Sequence, residues 1–220
     1  MSDCCTPKGY RQLFSEKGAR AQARRYRRKG LDSTSMRLVE LLKRRGLRER
    51  TLLEVGGGIG AIQLELLKAG LARAVSVELT PTYEQVAEEL LREAGLGYRV
   101  ERRVADFAQA GTEIAAADIV VLNRVVCCYT DMPALAGAAA DRAREVLVMS
   151  FPRESWWTRV ALTLGNLAFR LTRRQFHVFL HPPARIVAAA EQRGLRVALN
   201  QPGLFWQVAA LERPAPITGF

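Results

Sequence analysis

Residues 51–60 read Thr51-Leu52-Leu53-Glu54-Val55-Gly56-Gly57-Gly58-Ile59-Gly60. The apolar start of this stretch has the length of a strand, and residues 61–67 continue with apolar side chains at helical spacing. Four glycines in five positions separate the two segments. Glycine tolerates the unusual backbone angles of a tight turn and leaves space for a ligand against the main chain. Because a helix begins with free N–H groups, such a turn can also face a bound ligand. The stretch therefore predicts a strand, a ligand-binding loop and a helix.

The composition is that of a globular protein that can bury a substantial core. The chain has 220 residues, of which 49% are hydrophobic and 25% are charged, and this suits one large domain. No apolar run reaches the roughly 18 residues of a membrane-spanning helix, and no signal-peptide pattern opens the chain. The cysteines form two adjacent pairs, Cys4-Cys5 and Cys127-Cys128, and neighbouring cysteines seldom bridge each other. We therefore expect a reduced, cytoplasmic protein without a membrane span.

The chain carries an excess of positive charge, with a formal net charge of +11 and a pI near 10.2. Such a charge favours an anionic partner, which can be nucleic acid, acidic lipid or an acidic small molecule. The basic residues concentrate in three clusters, at residues 20–29, 43–50 and 170–174. We interpret the second cluster as a solvated helix face. The first has too few interleaved acids for that interpretation and is a candidate for anion contact.

Beyond the glycine loop, apolar segments of strand length alternate with segments of helical spacing. The further predicted strands are residues 74–78, 98–104, 118–123, 145–150, 195–199 and 205–211. The predicted helices are residues 15–28 and 33–45 before the loop, and 81–94, 132–144, 155–171 and 182–193 after it. This order implies an α/β fold with a doubly wound, mainly parallel, seven-stranded sheet that ends in an antiparallel C-terminal hairpin. We divide the chain into an N-terminal arm and helical cap, residues 1–48, and a core, residues 49–220.

Polar side chains and glycines stand where the first four predicted strands end. The glycine loop follows the first strand, Glu78 ends the second, Asp106 follows the third and Asn123 ends the fourth. In an open parallel sheet the ligand lies across the carboxyl ends of the strands, where the strand order reverses. Glu78 follows Gly56 by roughly the 20 residues expected for an acid that binds ribose hydroxyls. The sequence therefore predicts one crevice for a nucleoside-bearing cofactor.

Two cofactor classes fit a glycine loop of this kind. Gly56-x-Gly58-x-x-Ala61 satisfies a loose dinucleotide fingerprint, which is a weak signal by itself. Against it stand Glu54, the additional Gly60 and the two helices that precede the first strand. The pattern Glu54-x-Gly56-x-Gly58-x-Gly60, followed by Glu78, Asp106-Phe107 and an apolar strand ending at Asn123, resembles the class I S-adenosylmethionine-dependent methyltransferases. The resemblance extends from about residue 34 to residue 212 and implies a Rossmann-like fold.

The resemblance implies S-adenosylmethionine as cofactor and assigns residues to it. Glu54 and the glycine loop would hold the methionine end, and Glu78 would bind the ribose. Asp106 would bind the adenine amine beside Phe107, and the backbone of Asn123 would lie near the sulfonium. The complete implied set is Glu54, Gly56, Gly57, Gly58, Gly60, Glu78, Leu79, Asp106, Phe107, Asn123 and Arg124. No metal site is expected, because two histidines without nearby acids make a poor one.

The segment after the fourth strand, residues 123–129, holds the position that decides the substrate in this class. It lacks the Asn-Pro-Pro-aromatic motif of the enzymes that methylate amino groups of DNA and protein glutamine. The layout is distantly similar to the magnesium-protoporphyrin O-methyltransferases, in which the position matching Cys128 is commonly histidine. The candidate catalytic residues are His181, Tyr129 and Cys128, and the candidate substrate contacts are Tyr10, Tyr26 and Cys127.

The leading functional hypothesis is methyl transfer, by in-line displacement, to an oxygen, nitrogen or sulfur atom of a small, anionic molecule. Three alternatives remain open at this point. The basic surface favours an RNA methyltransferase, although no RNA-binding appendage is recognisable. The two cysteine pairs favour a thiophilic or metalloid substrate. The chain could also be a non-catalytic cofactor-binding subunit. The oligomeric state does not follow from the sequence.

Overall fold

The computed structural model describes residues 9–10, 13–110 and 113–214. Cys4 and Cys5 lie outside these residues, and so does the hypothesis that the two cysteine pairs meet. The helices are α1 (Glu16–Lys29), α2 (Ser33–Arg44), α3 (Ala61–Lys68), α4 (Glu84–Glu93), α5 (Phe107–Ala110), α6 (Met132–Arg142), α7 (Trp156–Leu171) and α8 (Pro183–Glu191). The strands are β1 (Thr51–Val55), β2 (Arg73–Glu78), β3 (Val100–Val104), β4 (Ala117–Asn123), β5 (Ala143–Pro152), β6 (Arg196–Pro202) and β7 (Trp206–Glu212).

The strands form one seven-stranded sheet in the order β3-β2-β1-β4-β5-β7-β6. Strands β1 to β5 pair in parallel, whereas β7 runs antiparallel to both β5 and β6. This arrangement confirms the predicted doubly wound, mainly parallel sheet with an antiparallel C-terminal hairpin. The strand order reverses between β1 and β4, and the carboxyl ends of these strands therefore border the expected crevice.

The central strands are apolar on both faces because helices cover the sheet on both sides. In β1, Leu52 belongs to one apolar cluster and the adjacent Leu53 to the other. In β4, Ile119 and Val120 divide between the same two clusters, and all four side chains are fully buried. Successive side chains of a strand point to opposite faces. A continuous apolar run is therefore what a strand buried between two helical layers requires.

The two leading helices pack onto the sheet. Asp32 begins α2 by accepting hydrogen bonds from the backbone N–H groups of Thr34 and Ser35, at 3.0 and 3.3 Å, as an N-cap aspartate does. The fully buried Ala23 of α1 and Leu38 of α2 lie in the apolar cluster that also contains the first strand. Residues on both sides of position 48 thus belong to one apolar cluster. The division into a cap and a core at this position stays a prediction.

Several predicted element boundaries move by a few residues. The helix predicted at residues 81–94 begins with a 3-10 turn, Pro81–Tyr83, before α4. The strand predicted at residues 98–104 is likewise preceded by a turn, Gly97–Arg99. The helix predicted at residues 132–144 ends at residue 142 because Ala143 already pairs with Ala117 of β4. Pairing between strands distant in sequence decides this last boundary, and local helix propensity does not.

Among the helices of the described residues, none has the length and apolar character needed to cross a membrane.

Candidate active site

The glycine loop adopts backbone angles that favour glycine. Gly56, Gly58 and Gly60 have φ angles of 65°, 61° and 72°, in the left-handed region where a side chain is strained. The N–H of Gly56 donates to the carbonyl of Val77 at 2.8 Å, which joins the loop to β2. A Cβ atom at Gly56 would lie 2.6 Å from Cγ2 of Val125. The loop therefore needs glycine there for its conformation and for its packing.

Glu54 lies directly behind this loop. A Cβ atom at Gly57 would lie 2.4 Å from the carboxyl carbon of Glu54, so the acid is packed against the loop backbone. The side chain is fully buried, and its Oε2 atom has no hydrogen-bond partner. Burial, reinforced by the neighbouring Glu78, raises the pKa of Glu54 to about 7. A buried acceptor without a partner is unfavourable by itself, and the Glu54 carboxyl is sealed behind the loop backbone and does not face the cavity.

Glu78 ends β2 next to the loop. Its carboxylate accepts a hydrogen bond from the backbone N–H of Gly58 at 2.5 Å. Burial raises the pKa of Glu78 to about 7, although this hydrogen bond and Arg102 oppose the rise. Arg102 was not anticipated from the sequence. Its guanidinium lies under the loop, 2.7 Å from Glu84 and 3.4 Å from the carbonyl of Gly58.

Asp106 follows β3, and its carboxylate accepts several hydrogen bonds. Its two carboxylate oxygens lie 2.8 and 3.0 Å from the hydroxyl of Tyr129, and the backbone N–H of Ala108 and the amide of Gln109 donate to them as well. Burial and the Asp106 carboxylate raise the pKa of Tyr129 above its usual range. The phenol thus stays protonated and directs its hydrogen at Asp106. Phe107 is buried beside this pair.

The end of β4 connects the sheet to the leading helices. The amide of Asn123 donates to the hydroxyl of Ser35 at 3.1 Å, and Arg124, with a φ of 62°, forms an ion pair with Asp32. Burial would raise the pKa of Asp32, but Arg124 and the backbone donors of α2 hold it below its ordinary value. The Arg124 guanidinium also lies over the ring of Trp206, 4.9 Å from its centroid. Its Nε atom is buried without a hydrogen-bond partner.

These groups surround one cavity of about 450 Å³. Most of the predicted site residues line it: Tyr10, Tyr26, Gly56, Gly57, Gly58, Glu78, Leu79, Asp106, Phe107, Asn123, Arg124, Cys128 and Tyr129. Four predicted residues do not line it: Glu54, Gly60, Cys127 and His181. The wall also contains residues that were not assigned to the site from the sequence, among them Gln22, Arg25, Asp32, Ser35, Thr80 and Tyr83. Gln22 and Arg25 could have been assigned from the sequence, because the basic stretch at residues 20–29 contains no acids.

The predicted substrate contacts are hydrogen-bonded within the protein. The hydroxyl of Tyr10 donates to the carbonyl of Cys128. The hydroxyl of Tyr26 donates to Glu65 of α3 at 2.5 Å, and burial together with Glu65 raises the pKa of that phenol above its usual range. Both tyrosines thus line the cavity, while their hydroxyls are already engaged within the protein.

The remaining candidates lie around the turn after β4. Nε2 of His181 lies 3.1 Å from the backbone carbonyl of Tyr129, and burial lowers the pKa of this histidine. The sulfur atoms of Cys127 and Cys128 are 3.7 Å apart, and each lies near the carbonyl of Arg124. Within the described residues, no group of three or more His, Cys, Asp or Glu side chains could hold a metal ion.

The raised pKa of Glu54 predicts a pH dependence of stability. Its folded-state pKa of about 7 lies above the ordinary value of 4.5, so the native state holds a proton that the unfolded chain releases. The contribution of Glu54 to the free energy of unfolding is complete below pH 4.5 and is lost as the pH rises to about 7. The loss amounts to roughly 3 kcal/mol. We expect Glu54→Gln to flatten the decline in the free energy of unfolding, measured by urea titration across this range. The exposed Glu88→Gln is the control, and an unchanged pH profile in Glu54→Gln would contradict the prediction.

Comparison with known proteins agrees with this geometry. Residues 53–144 match the family model of a methyltransferase domain, and a search of curated protein sequences finds no match. Magnesium protoporphyrin IX methyltransferase from Synechocystis PCC 6803, solved with bound SAH, superimposes with a TM-score of 0.73 at 20% identity, covering 93% of this chain and 98% of that one.

Two further solved structures share the fold. An O-methyltransferase family protein from Burkholderia thailandensis gives a TM-score of 0.67 at 22% identity, over 92% of this chain and 64% of that one. An O-methyltransferase family 2 protein from Planctomyces limnophilus DSM 3776, solved with apigenin, gives a TM-score of 0.60 at 16% identity. The match covers 84% of this chain and 63% of that one. Residues 53–144 therefore match a methyltransferase domain, and the chain shares the fold of these solved methyltransferases.

Proposed function

We propose that the protein transfers a methyl group from S-adenosylmethionine to an oxygen, nitrogen or sulfur atom of a small, anionic molecule. One observation carries the proposal: a single cavity has the glycine loop and the strand ends on one side and residues of α1 and α2 on the other. The first side suits the cofactor, and the second leaves room for an acceptor beside it. Such an arrangement holds two reactants close and in line, which is the main requirement of a displacement reaction.

The residues of the first side fit the cofactor by their chemistry. Glu78 offers carboxylate oxygens for ribose hydroxyls, Asp106 offers them for an exocyclic amine, and the loop backbone admits a ligand without side-chain obstruction. Glu54, which was predicted to hold the methionine end, lies behind the loop and off the cavity wall, so its task would be to support the loop backbone. When bound, the cofactor supplies an activated methyl group on its sulfonium. The protein then contributes orientation and the exclusion of water.

The charge on the second side of the cavity supports an anionic acceptor. Asp32 is neutralised by its ion pair with Arg124, so it adds no net negative charge at the cavity wall. Arg25 of α1 lines the cavity and takes part in none of the ion pairs found in the described part of the chain. An exposed guanidinium at a cavity wall matches a carboxylate or phosphate. The acceptor end therefore favours negative charge.

The three candidate catalytic residues would differ in their tasks. Cys128 lines the cavity and is the candidate for direct contact with the acceptor. The Tyr129 hydroxyl stays protonated and donates its hydrogen to Asp106. It would therefore help to position the reactants and would not act as a base. His181 lies off the cavity wall and touches the backbone of Tyr129, which suits a positioning residue. Methyl transfer then depends on a base only if the acceptor must lose a proton.

The alternative functions make different predictions for the same protein. An RNA methyltransferase would bind RNA with steep salt dependence. A metalloid methyltransferase would lose activity when Cys127 and Cys128 are both replaced by serine, because thiolates would hold the substrate. A non-catalytic subunit would bind the cofactor without transferring its methyl group to any acceptor. The expected cytoplasmic location also remains a prediction, resting on the adjacent spacing of the cysteines, which does not indicate a secreted disulfide framework.

We expect Arg25→Ala to raise the KM for the acceptor about tenfold, because a charge-assisted contact contributes roughly 1.5–3 kcal/mol. The measurement is methyl transfer from labelled cofactor into the anionic fraction of a small-metabolite extract, followed by kinetics on the labelled product. Arg24→Ala is a matched control, since Arg24 is the neighbouring exposed arginine of α1 and does not line the cavity. Cofactor affinity should stay unchanged in both variants. Equal KM values in the two variants, or label only in neutral or macromolecular products, would refute the anionic acceptor.

A further inference from the structure

Helix α7 presents an apolar face that the described residues leave uncovered. Trp156 and Leu171, at its two ends, are 74% and 76% exposed, and three more large apolar side chains between them are exposed, Val160, Leu164 and Leu167. At 100° per residue these five positions fall within an arc of roughly 80°. A continuous apolar stripe on an exposed helix marks an interaction surface, whereas single exposed apolar residues do not.

The opposite side of α7 is attached firmly to the protein. The amide of Asn166 donates to the carbonyl of Val178 and accepts from its N–H, both at 2.9 Å. Phe169 packs edge-to-face on Phe176, with 5.8 Å between ring centroids. Thr158 is the buried residue of the helix and lies at its capped first turn. The apolar stripe is therefore held in a defined orientation toward the outside.

The charge around the stripe has one sign. Arg159 and Arg170 lie along one flank of α7, and Arg173 and Arg174 follow its end, all of them exposed. Residues 155–190 contain no aspartate or glutamate. Glu154, the nearest acid in sequence, is paired with Arg159, so Arg170, Arg173 and Arg174 carry the net positive charge beside the stripe. Apolar side chains flanked by arginines match the boundary of an anionic bilayer, where acyl chains and phosphate groups lie side by side.

We propose that α7 docks the protein on the surface of an anionic lipid bilayer, lying in the plane of the interface with its apolar stripe inserted. The helix has 16 residues and is therefore about 24 Å long, which is shorter than the roughly 30 Å hydrocarbon core that a spanning helix must cross. Tryptophan at the start of the stripe suits the interfacial region, because its ring is amphipathic.

Two other occupants fit the face less well. A second copy packed antiparallel about a two-fold axis would bring the same arginine flanks against each other, and like charges oppose such an interface. A parallel copy would leave the arginines of both copies without an anionic partner. RNA would pair with the arginines but would leave the apolar stripe without a partner. The bilayer is the occupant that matches both the apolar and the charged part of the surface.

The test is co-sedimentation of the full chain with vesicles of phosphatidylcholine alone and of phosphatidylcholine with a quarter phosphatidylglycerol. We expect binding to the anionic vesicles, weakened by salt, together with a blue shift of tryptophan fluorescence that Trp156→Phe reduces. Leu164→Ser/Leu171→Ser should weaken partitioning at least tenfold, because two apolar side chains lose their insertion. Tyr98→Ser/Leu204→Ser is the matched control, since these side chains are 84% and 85% exposed elsewhere on the surface, and it should bind like the wild type.

The charge is tested separately. Arg170→Glu should weaken binding to anionic vesicles by more than fivefold, whereas Arg196→Glu, an exposed arginine on β6, should have little effect. Equal SAH affinity and equal circular dichroism in all variants would show that the fold is intact. The proposal is overturned if the wild type ignores anionic vesicles at low salt or if the leucine variant binds as well as the control. A dimer that the leucine variant converts to monomer, or RNA binding lost in Arg170→Glu without vesicle binding, would assign the face to those partners instead. Each outcome is independent of whether methyl transfer is observed.

Discussion

Gly56→Ala is expected to destabilise the protein by about 2–5 kcal/mol and to weaken SAH binding at least tenfold. Part of the loss, about 1–2 kcal/mol, comes from placing a side chain at a φ of 65°. The rest, about 1–3 kcal/mol, comes from overpacking, because the new Cβ atom would lie 2.6 Å from Cγ2 of Val125. Val125 lines the cavity, so its displacement reshapes the cavity wall as well.

Gly95→Ala separates these two contributions. Gly95 has a φ of 67°, and a Cβ atom at this position would have no heavy atom within 4 Å, so alanine there meets the backbone penalty alone. We expect a loss of about 1 kcal/mol for this control, with unchanged SAH affinity. Urea unfolding gives the stability of both variants, and calorimetry with SAH gives the affinity. If the two alanine variants lose equal stability, the close packing of Gly56 on Val125 does not matter and the account of the loop is wrong.

Glu78→Ala is expected to weaken SAH binding by about 1–3 kcal/mol, or roughly five- to 150-fold, because ribose hydroxyls would lose a buried acceptor. The same change removes the partner of the Gly58 N–H, so the loop also loses a contact that orders it. Glu78→Gln retains an acceptor for Gly58 without the charge and should fall between the wild type and the alanine variant. The measurement is isothermal titration calorimetry with SAH.

The control for Glu78 is Glu88→Ala, an exposed glutamate on α4, which should bind SAH with wild-type affinity. Because the pKa of Glu78 is raised to about 7 by burial, binding of hydroxyl donors should also favour its ionised form. Calorimetry in buffers of different ionisation enthalpy should then show proton release on binding near neutral pH. Wild-type affinity in Glu78→Ala would mean that the ribose contact is misassigned.

The periodic parts of the fold could be predicted from the sequence because their pattern reflects burial. The apolar run of β4 and the glycine loop after β1 each indicated their element, and the structure confirms the doubly wound sheet that they imply. The boundary between α6 and β5 could not be predicted, because Ala143 pairs with Ala117 of a distant strand. Local patterns do not contain that pairing.

The cavity wall could be predicted where a residue stands at a strand end. Glu78, Asp106 and Asn123 follow from strand positions and line one cavity, as expected. Arg102 was missed because it lies within a strand, and only its contacts with Glu84 and Gly58 reveal that it supports the loop. That Cys128 lines the cavity while the adjacent Cys127 is buried off its wall also follows from the turn after β4 and not from residue type.

The sequence by itself determined the strand-loop-helix unit, the alternation of strands and helices, and the acids that stand at the strand ends. These depend on backbone conformation and on burial periodicity, which neighbouring residues express locally. Tertiary structure alone decided which side chains meet across the cavity, such as Asp32 with Arg124, and that α7 turns an apolar stripe outward while Asn166 anchors its other side. Such contacts join residues far apart in the chain, so they exist only once the chain has packed.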